Sequence, residues 1–326
     1  MTMTRALVLT LLLGAALGNL HCQGPCDQWF APEELDLGVT DDLHGLVGSD
    51  GGFPYHIVTV GSGGVVVRAD GLRNAERDRR DHLDLSVERP TTRELLAVLD
   101  DTPDIIAVGR GGAVVRPFHG DPILDPGTTA DLHALARKDD ELIVAGDDVV
   151  LSYDLAADRW TPANRPDTGW GPLRAVVTNG GGVFVVGLAG VAWKRAWDDP
   201  LAPWQLVDLD TTADLRTGHG DVIAGAGGTV RIRHDDLWIA LAGPPDADFI
   251  ASSAAGTPQS HYLLAADGRV FELDIDAPQL FVLEDLGPDL SALHVHTGKG
   301  DIRIFAAGRR GRAVRVNYEA CTGVLH

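Results

Sequence analysis

The sequence predicts an all-β chain of seven four-stranded antiparallel blades closed into a ring, a seven-bladed β-propeller. Two recurring phrases and the fit between the chain ends predict it. The first phrase is a hydrophobic run ending in a glycine-rich turn, plainest as Val58-Thr59-Val60-Gly61-Ser62-Gly63-Gly64-Val65. It returns around Gly109, Gly146, Gly187, Gly225, Ala266 and Gly308, with a mean step of about 41 residues, as in arrays built from one supersecondary unit. The second phrase leads into each turn and is usually an acid followed by Leu-x-Ala or a near relative: Asp42-Leu43-His44-Gly45, Glu94-Leu95-Leu96-Ala97, Asp131-Leu132-His133-Ala134, Asp214-Leu215-Arg216-Thr217, Asp248-Phe249-Ile250-Ala251 and Asp289-Leu290-Ser291-Ala292. The fourth copy reads Pro172-Leu173-Arg174-Ala175 and lacks the acid.

In each unit the large-x-small alternation reads as an inner strand whose large and small residues share one face. The glycine-terminated run is the second strand. Glycine supplies the turn into a third, such as Val149–Ser152 or Thr229–Arg233. Trp160, Trp204, Trp238 and Phe281 mark a fourth, outer strand in units three to six. Such a sheet has two apolar faces and two edges, so it needs neighbours, and radial stacking of seven covers the faces while leaving short edges.

The ends are complementary. The seventh unit stops after its third strand, near Arg312 to Tyr318, while Cys26-Asp27-Gln28-Trp29 resembles the outer-strand segment Ala157-Asp158-Arg159-Trp160. The N-terminal strand therefore completes the last blade, and the chain divides into residues 1–18, a signal peptide, 19–26, a short N-terminal segment, and 27–326, the propeller. A Cys26–Cys321 disulfide would replace the missing covalent turn of blade seven, with Cys22 as the competing partner of Cys321. Closing a loop of about 300 residues contributes on the order of 5 kcal/mol in the chain-entropy account.

The leader has Arg5, an apolar run from Ala6 to Leu17 and small residues at Ala16 and Gly18, the pattern of a bacterial secretory signal. An extracytoplasmic destination is expected: periplasmic, secreted or lipid-anchored. Lipidation of Cys22 would leave the other two cysteines to pair, whereas His21 before it departs from the usual small residue. A membrane contact is expected only through such an anchor. The formal charge of −20 argues against nucleic acid as partner and for a basic one.

Six leading acids, Asp42, Glu94, Asp131, Asp214, Asp248 and Asp289, are expected at the mouth of the central channel, beside the glycine turns. They could focus a negative potential for a basic segment or hold Ca²⁺ through hard oxygen ligands; no other cofactor is expected. The plainer reading is that each aspartate ends a turn and caps backbone N–H groups. Two residues on, His44, His133, Arg174 and Arg216 either form a cationic ring or pair with their neighbouring acids. Trp170 stands where the fourth copy lacks its acid, either as a stacking platform at the mouth or as packing. His294-Val295-His296 has a spacing seen in metal sites but brings no third ligand. No paired nucleophile and base, P-loop or dinucleotide fingerprint occurs, so an enzyme is not the first expectation.

From Asp27 to Cys321 the repeats resemble those of photosystem assembly factor-like and Asp-box (BNR-like) propellers, which share the Leu-x-Ala strand, the Val-Gly-x-x-Gly turn and the outer tryptophan. Ser152–Trp160 is similar to a degenerate Asp-box, with one residue too many before the tryptophan and no glycine, and as similar to the outer turn of kelch repeats. The Arg-Ile-Pro motif of sialidases does not occur. The expected function is that of an extracytoplasmic scaffold that binds a protein partner; the alternative is a carbohydrate-binding or glycan-cleaving propeller with its site at the channel mouth.

Overall fold

The computed structural model describes residues 28–29, 31–48, 56–70, 83–101, 104–118, 123–197, 199, 202–235, 237–254, 260–297 and 301–319. The leader, Cys22, Cys26 and Cys321 lie outside the described residues. No helix among the described residues is long and apolar enough to cross a membrane.

Seven antiparallel sheets form a ring. From channel to rim, blade 1 runs Leu43–Gly48, His56–Gly61, Val66–Asp70 and Asp84–Glu88, and blade 2 runs Leu95–Asp101, Asp104–Gly109, Ala113–Val115 and Ile123–Leu124. Blade 3 comprises Leu132–Lys138, Glu141–Gly146, Val149–Asp154 and Arg159–Pro162; blade 4, Leu173–Asn179, Gly182–Gly187, Ala192–Arg195 and Gln205–Leu206. Blade 5 comprises Leu215–His219, Val222–Gly225, Thr229–His234 and Leu237–Ala242; blade 6, Phe249–Ala254, Ser260–Ala265, Arg269–Asp274 and Gln279–Asp285. In blade 7, Leu290–Thr297, Asp301–Gly308 and Ala313–Glu319 take their outer partners from the N-terminal part of the chain: Gln28 pairs with Glu319, Trp29 with Tyr318, and Glu33–Glu34 with Arg315 and Val314. The expected closure is what forms. The proposed disulfide partners each lie two residues beyond the Gln28–Glu319 pair.

The core is a set of seams between blades. At the seam of blades 7 and 1, Leu43, Ile57, Val67, Phe305 and Ala307 are all at most 2% exposed. Burying each large aliphatic or aromatic side chain there contributes about 1.5–3 kcal/mol.

The glycine phrase works between blades more than within them. Gly61 is extended, at φ −171°, and needs glycine for space: a Cβ would stand 1.9 Å from the Asp42 carbonyl oxygen. Gly64, at φ +71°, needs it twice over, since a Cβ would also meet the Thr91 carbonyl of blade 2 at 1.9 Å.

Every inner strand departs from simple alternation at the Leu-x-small step. Leu43 faces Gly61 and Gly45 faces Val60, so His44 is an extra, bulged residue, and the same shift recurs in all seven blades. The large and small residues therefore lie on opposite faces, not on one. The bulge turns the x residue toward the channel axis.

Candidate functional site

The channel mouth comes first, because the sequence singles it out. Each leading residue's carbonyl accepts the N–H just after the last residue of its blade's second strand, a glycine in six blades and Ala265, one residue before the Ala266 that the repeat spacing suggests, in blade 6, as in Ser62 to Asp42 at 2.8 Å and Ala226 to Asp214 at 2.9 Å. Four of the acids then reach sideways. Asp131 Oδ1 accepts the N–H of Gly111 in blade 2, Asp214 that of Ala189 in blade 4, Asp248 that of Gly227 in blade 5, and Asp42 that of Arg310 in blade 7, at 2.8 to 3.0 Å. Each donor is the middle residue of a single 3₁₀ turn and has positive φ, between 56° and 62°, which aims its N–H at the next blade. These carboxylates latch one blade to the next.

The other acids are held by charge. Glu94 pairs with Arg110 and, at 2.8 Å, with His44 of blade 1; Asp289 lies 3.5 Å from Arg309. The x residues line a channel of about 220 Å³, in which His44, His133, Arg174 and Arg216 meet Leu96, Ile250 and Ser291. They are not a free cationic ring, nor do they mostly pair with their sequence neighbours. His133 and Arg174 share Asp147, at 3.1 and 2.8 Å, while Arg216 spans Asp214 and Asp248 at 3.7 and 3.5 Å. The bulge brings these side chains to the mouth, where His44, Arg174 and Arg216 reach an acid of a neighbouring blade and His133 one of its own. Burial works to raise the Asp147 carboxyl, but Arg174 and His133 outweigh it and hold it below the usual range. Burial, then Arg174, pushes His133 below the usual imidazole value.

Trp170 is 2% exposed. It packs edge-on against Trp193 and Trp204, with centroids at 5.6 and 5.4 Å, and its backbone N–H donates to Asp148 Oδ1 at 2.8 Å. That packing leaves it no open face for a stacked ligand. Among the described residues no group of three or more His, Cys, Asp or Glu is placed to hold a metal ion; His294 is buried in the inner strand of blade 7.

Two surfaces that the sequence does not single out are better formed. On the opposite face, blades 3 and 4 part to leave a groove of about 980 Å³. Its floor is an ion pair across the seam: Arg195 Nη2 donates to both oxygens of Glu141 at 2.8 and 2.7 Å, and Ser152 Oγ donates to Glu141 at 2.5 Å. Trp197 and Trp204 stand in its wall, with Lys138 Nζ 5.0 Å from the Trp197 ring centre and Arg195 Cζ 5.4 Å from that of Trp204. The seam widens because small residues, Ser152, Ala163 and Gly180 to Gly182, line it there.

The second surface is the rim of blades 5 and 6. Leu237–Ala242 is the outer strand of blade 5, and Leu237 and Ile239 are 72% and 47% exposed. Ile239 faces Ile232 and Leu241 faces Val230, both in the seam with blade 6, so Leu237, Ile239 and Leu241 share the blade 6 side. From blade 6, Val282 faces Phe271 and Leu280 faces Leu273 of the same seam, and Val282 is 58% exposed. The exposed apolar side chains of the two outer strands thus lie on the sides that face each other. Other rims are guarded: Asp84–Glu88 begins and ends in acid, Arg159–Pro162 carries arginine and proline, Gln279–Asp285 has a bulge and two acids, and the rest are two-residue strands. Leu237–Ala242 has no charge, proline or bulge.

No family model matches the chain, and no curated protein matches it. The propeller architecture is therefore shown by the structure itself, while the likeness to Asp-box or kelch repeats rests on residues such as Ser152–Trp160.

Proposed function

We propose that the chain is an extracytoplasmic binding scaffold that holds a protein partner at the rim of blades 5 and 6. The observation that carries this reading is the unguarded edge strand Leu237–Ala242 with the exposed apolar side chains of Leu237, Ile239 and, from blade 6, Val282. A free strand edge offers backbone N–H and C=O groups to an added strand, and an adjoining apolar surface rewards its side chains. The charge of −20 supports a partner segment that is extended, apolar on alternate residues and basic elsewhere. The leader supports the destination, and Cys22 remains the residue through which a lipid would anchor the chain.

Capture from the native envelope, compared between the wild-type chain and two variants, tests this. Ala240→Pro removes one outward N–H, because the hydrogen bond from Gly243 to the Gly228 carbonyl fixes the alternation that turns the Ile239 N–H inward and the Ala240 N–H outward, while Asp131→Ala touches only groups at the mouth. The proposal expects a partner that Ala240→Pro loses and Asp131→Ala keeps. The reverse pattern would move the interface to the channel mouth. The structure supports no glycan-cleaving reading centred on Trp170, because that residue is buried in packing.

A further inference from the structure

We infer that the groove between blades 3 and 4 is a saccharide-binding site, separate from the rim surface and on the face opposite the channel mouth. Its volume of about 980 Å³ is at the upper end of the range for sites that enclose a small ligand. Size alone decides nothing, so the chemistry of the walls carries the argument.

Both indoles are fixed before any ligand arrives. Trp197 Nε1 donates to the Asn179 carbonyl at 3.2 Å, and Trp204 is held edge-on by Trp170 at 5.4 Å. Lys138 lies over the Trp197 ring and Arg195 over that of Trp204, and the part of each half-buried indole left to the groove is apolar surface of the kind that the C–H face of a pyranose ring covers, held so that it loses little rotamer freedom on binding. The floor is polar but internally matched, since Glu141 is taken up by Arg195 and Ser152. A matched floor does not call for an ion. Around the rim, Asp154, Arg159, Thr161 and Asn164 mix donors with acceptors. A ring of hydroxyls, each able both to donate and to accept, is the ligand chemistry that such a mixture satisfies.

An extended peptide fits less well. The strand edge on the groove's outer side is Arg159–Pro162, where Pro162 has no N–H to give and the strand spans four residues. Beyond the indoles, the lining offers only alanine, glycine and proline as apolar surface, too little for peptide side-chain pockets.

The test is a titration of the full chain with short cello-, xylo- and chito-oligosaccharides, monitored by tryptophan fluorescence and by the indole N–H resonances. At least one series is expected to bind saturably and to shift the Trp197 and Trp204 signals. Trp197→Ala should weaken that binding tenfold or more, and Trp197→Phe should recover part of it. Lys138→Ala, at an exposed position, is the variant least able to disturb folding, and it should weaken binding severalfold by removing a donor beside the indole. Ala240→Pro, which removes an outward N–H of the rim strand, should leave it unchanged, so failure here and failure of the rim interface are read separately. The inference is overturned if none of these saccharides binds, if binding ignores both Trp197→Ala and Lys138→Ala, or if the groove signals respond only to peptides.

Discussion

The Asp131 carboxylate of blade 3 accepts the backbone N–H of Gly111 in blade 2 at 2.8 Å, and the same bond recurs from Asp42, Asp214 and Asp248. A residue that looks like part of an open acidic ring is thus a fastener between neighbouring blades. It closes an otherwise unmet donor on a positive-φ turn, a task that side-chain caps perform at helix starts.

Asp131→Ala should therefore destabilise the ring by about 1 kcal/mol, and Asp131→Ala with Asp214→Ala by about twice that, because the two latches share no partner. Chemical denaturation measures it. A pair of substitutions without effect would show that water satisfies these turns equally well.

The groove floor makes a sharper prediction. Glu141→Ala removes the carboxylate that Arg195 Nη2, on a residue 3% exposed, bonds through both oxygens, and should cost about 3–5 kcal/mol. Replacing both, as Glu141→Leu with Arg195→Met, should cost far less, since the desolvation of both charges goes with them. Equal losses in the single and double variants would contradict this.

Acid should weaken the fold before the carboxylates titrate. Burial first, then the charges of His296 and His219 against the opposing pull of Asp100, lowers the His294 imidazole to about 3. Its folded value lies below its unfolded one, so the unfolded chain takes the proton and the native chain does not. Stability is complete above about pH 6.5 and falls as the pH drops toward 3, by up to about 1.4 kcal/mol per unit from this group. Denaturation midpoints between pH 7 and 5 should show the slope, and His294→Gln should flatten it.

Blade number, strand order and ring closure were legible in the sequence because the signals recur at each blade. Leu43, Leu95 and Leu132 announce the same step, and Trp29 announces the strand that blade 7 lacks. Recurrence hides which side of a strand meets which neighbour. The bulge after Leu43 inverts the face of Gly45 and sends His44 to Glu94 of blade 2, a partner that no spacing within one repeat suggests. The plainer reading of the aspartates, as turn caps, matches the geometry of Asp131; the turn is simply that of the preceding blade. The groove was illegible for a related reason: Lys138, Ser152, Arg159, Arg195 and Trp204 come from two blades and form no run. Trp238 marks the outer strand of blade 5 in the sequence, but the run Leu237–Ala242 has the composition of a buried strand, so its exposure shows only in the structure.

The N-terminal strand's pairing makes the cysteines testable. Non-reducing mass spectrometry should find Cys26 joined to Cys321, and reduction should lower stability by up to about 5 kcal/mol. A Cys22–Cys321 bond would contradict that assignment, and an acyl mass on Cys22 would establish the anchor.

A partner docked on the outer edge of blade 5 would cover that strand's free amides, and hydrogen exchange of the captured complex reads them one by one. The outward amides of Leu237–Ala242 should exchange more slowly in the complex than in the free chain, while the latches at Asp42, Asp131, Asp214 and Asp248 keep their rates. Unchanged exchange along Leu237–Ala242, with slowing at the channel mouth instead, would contradict docking on that edge.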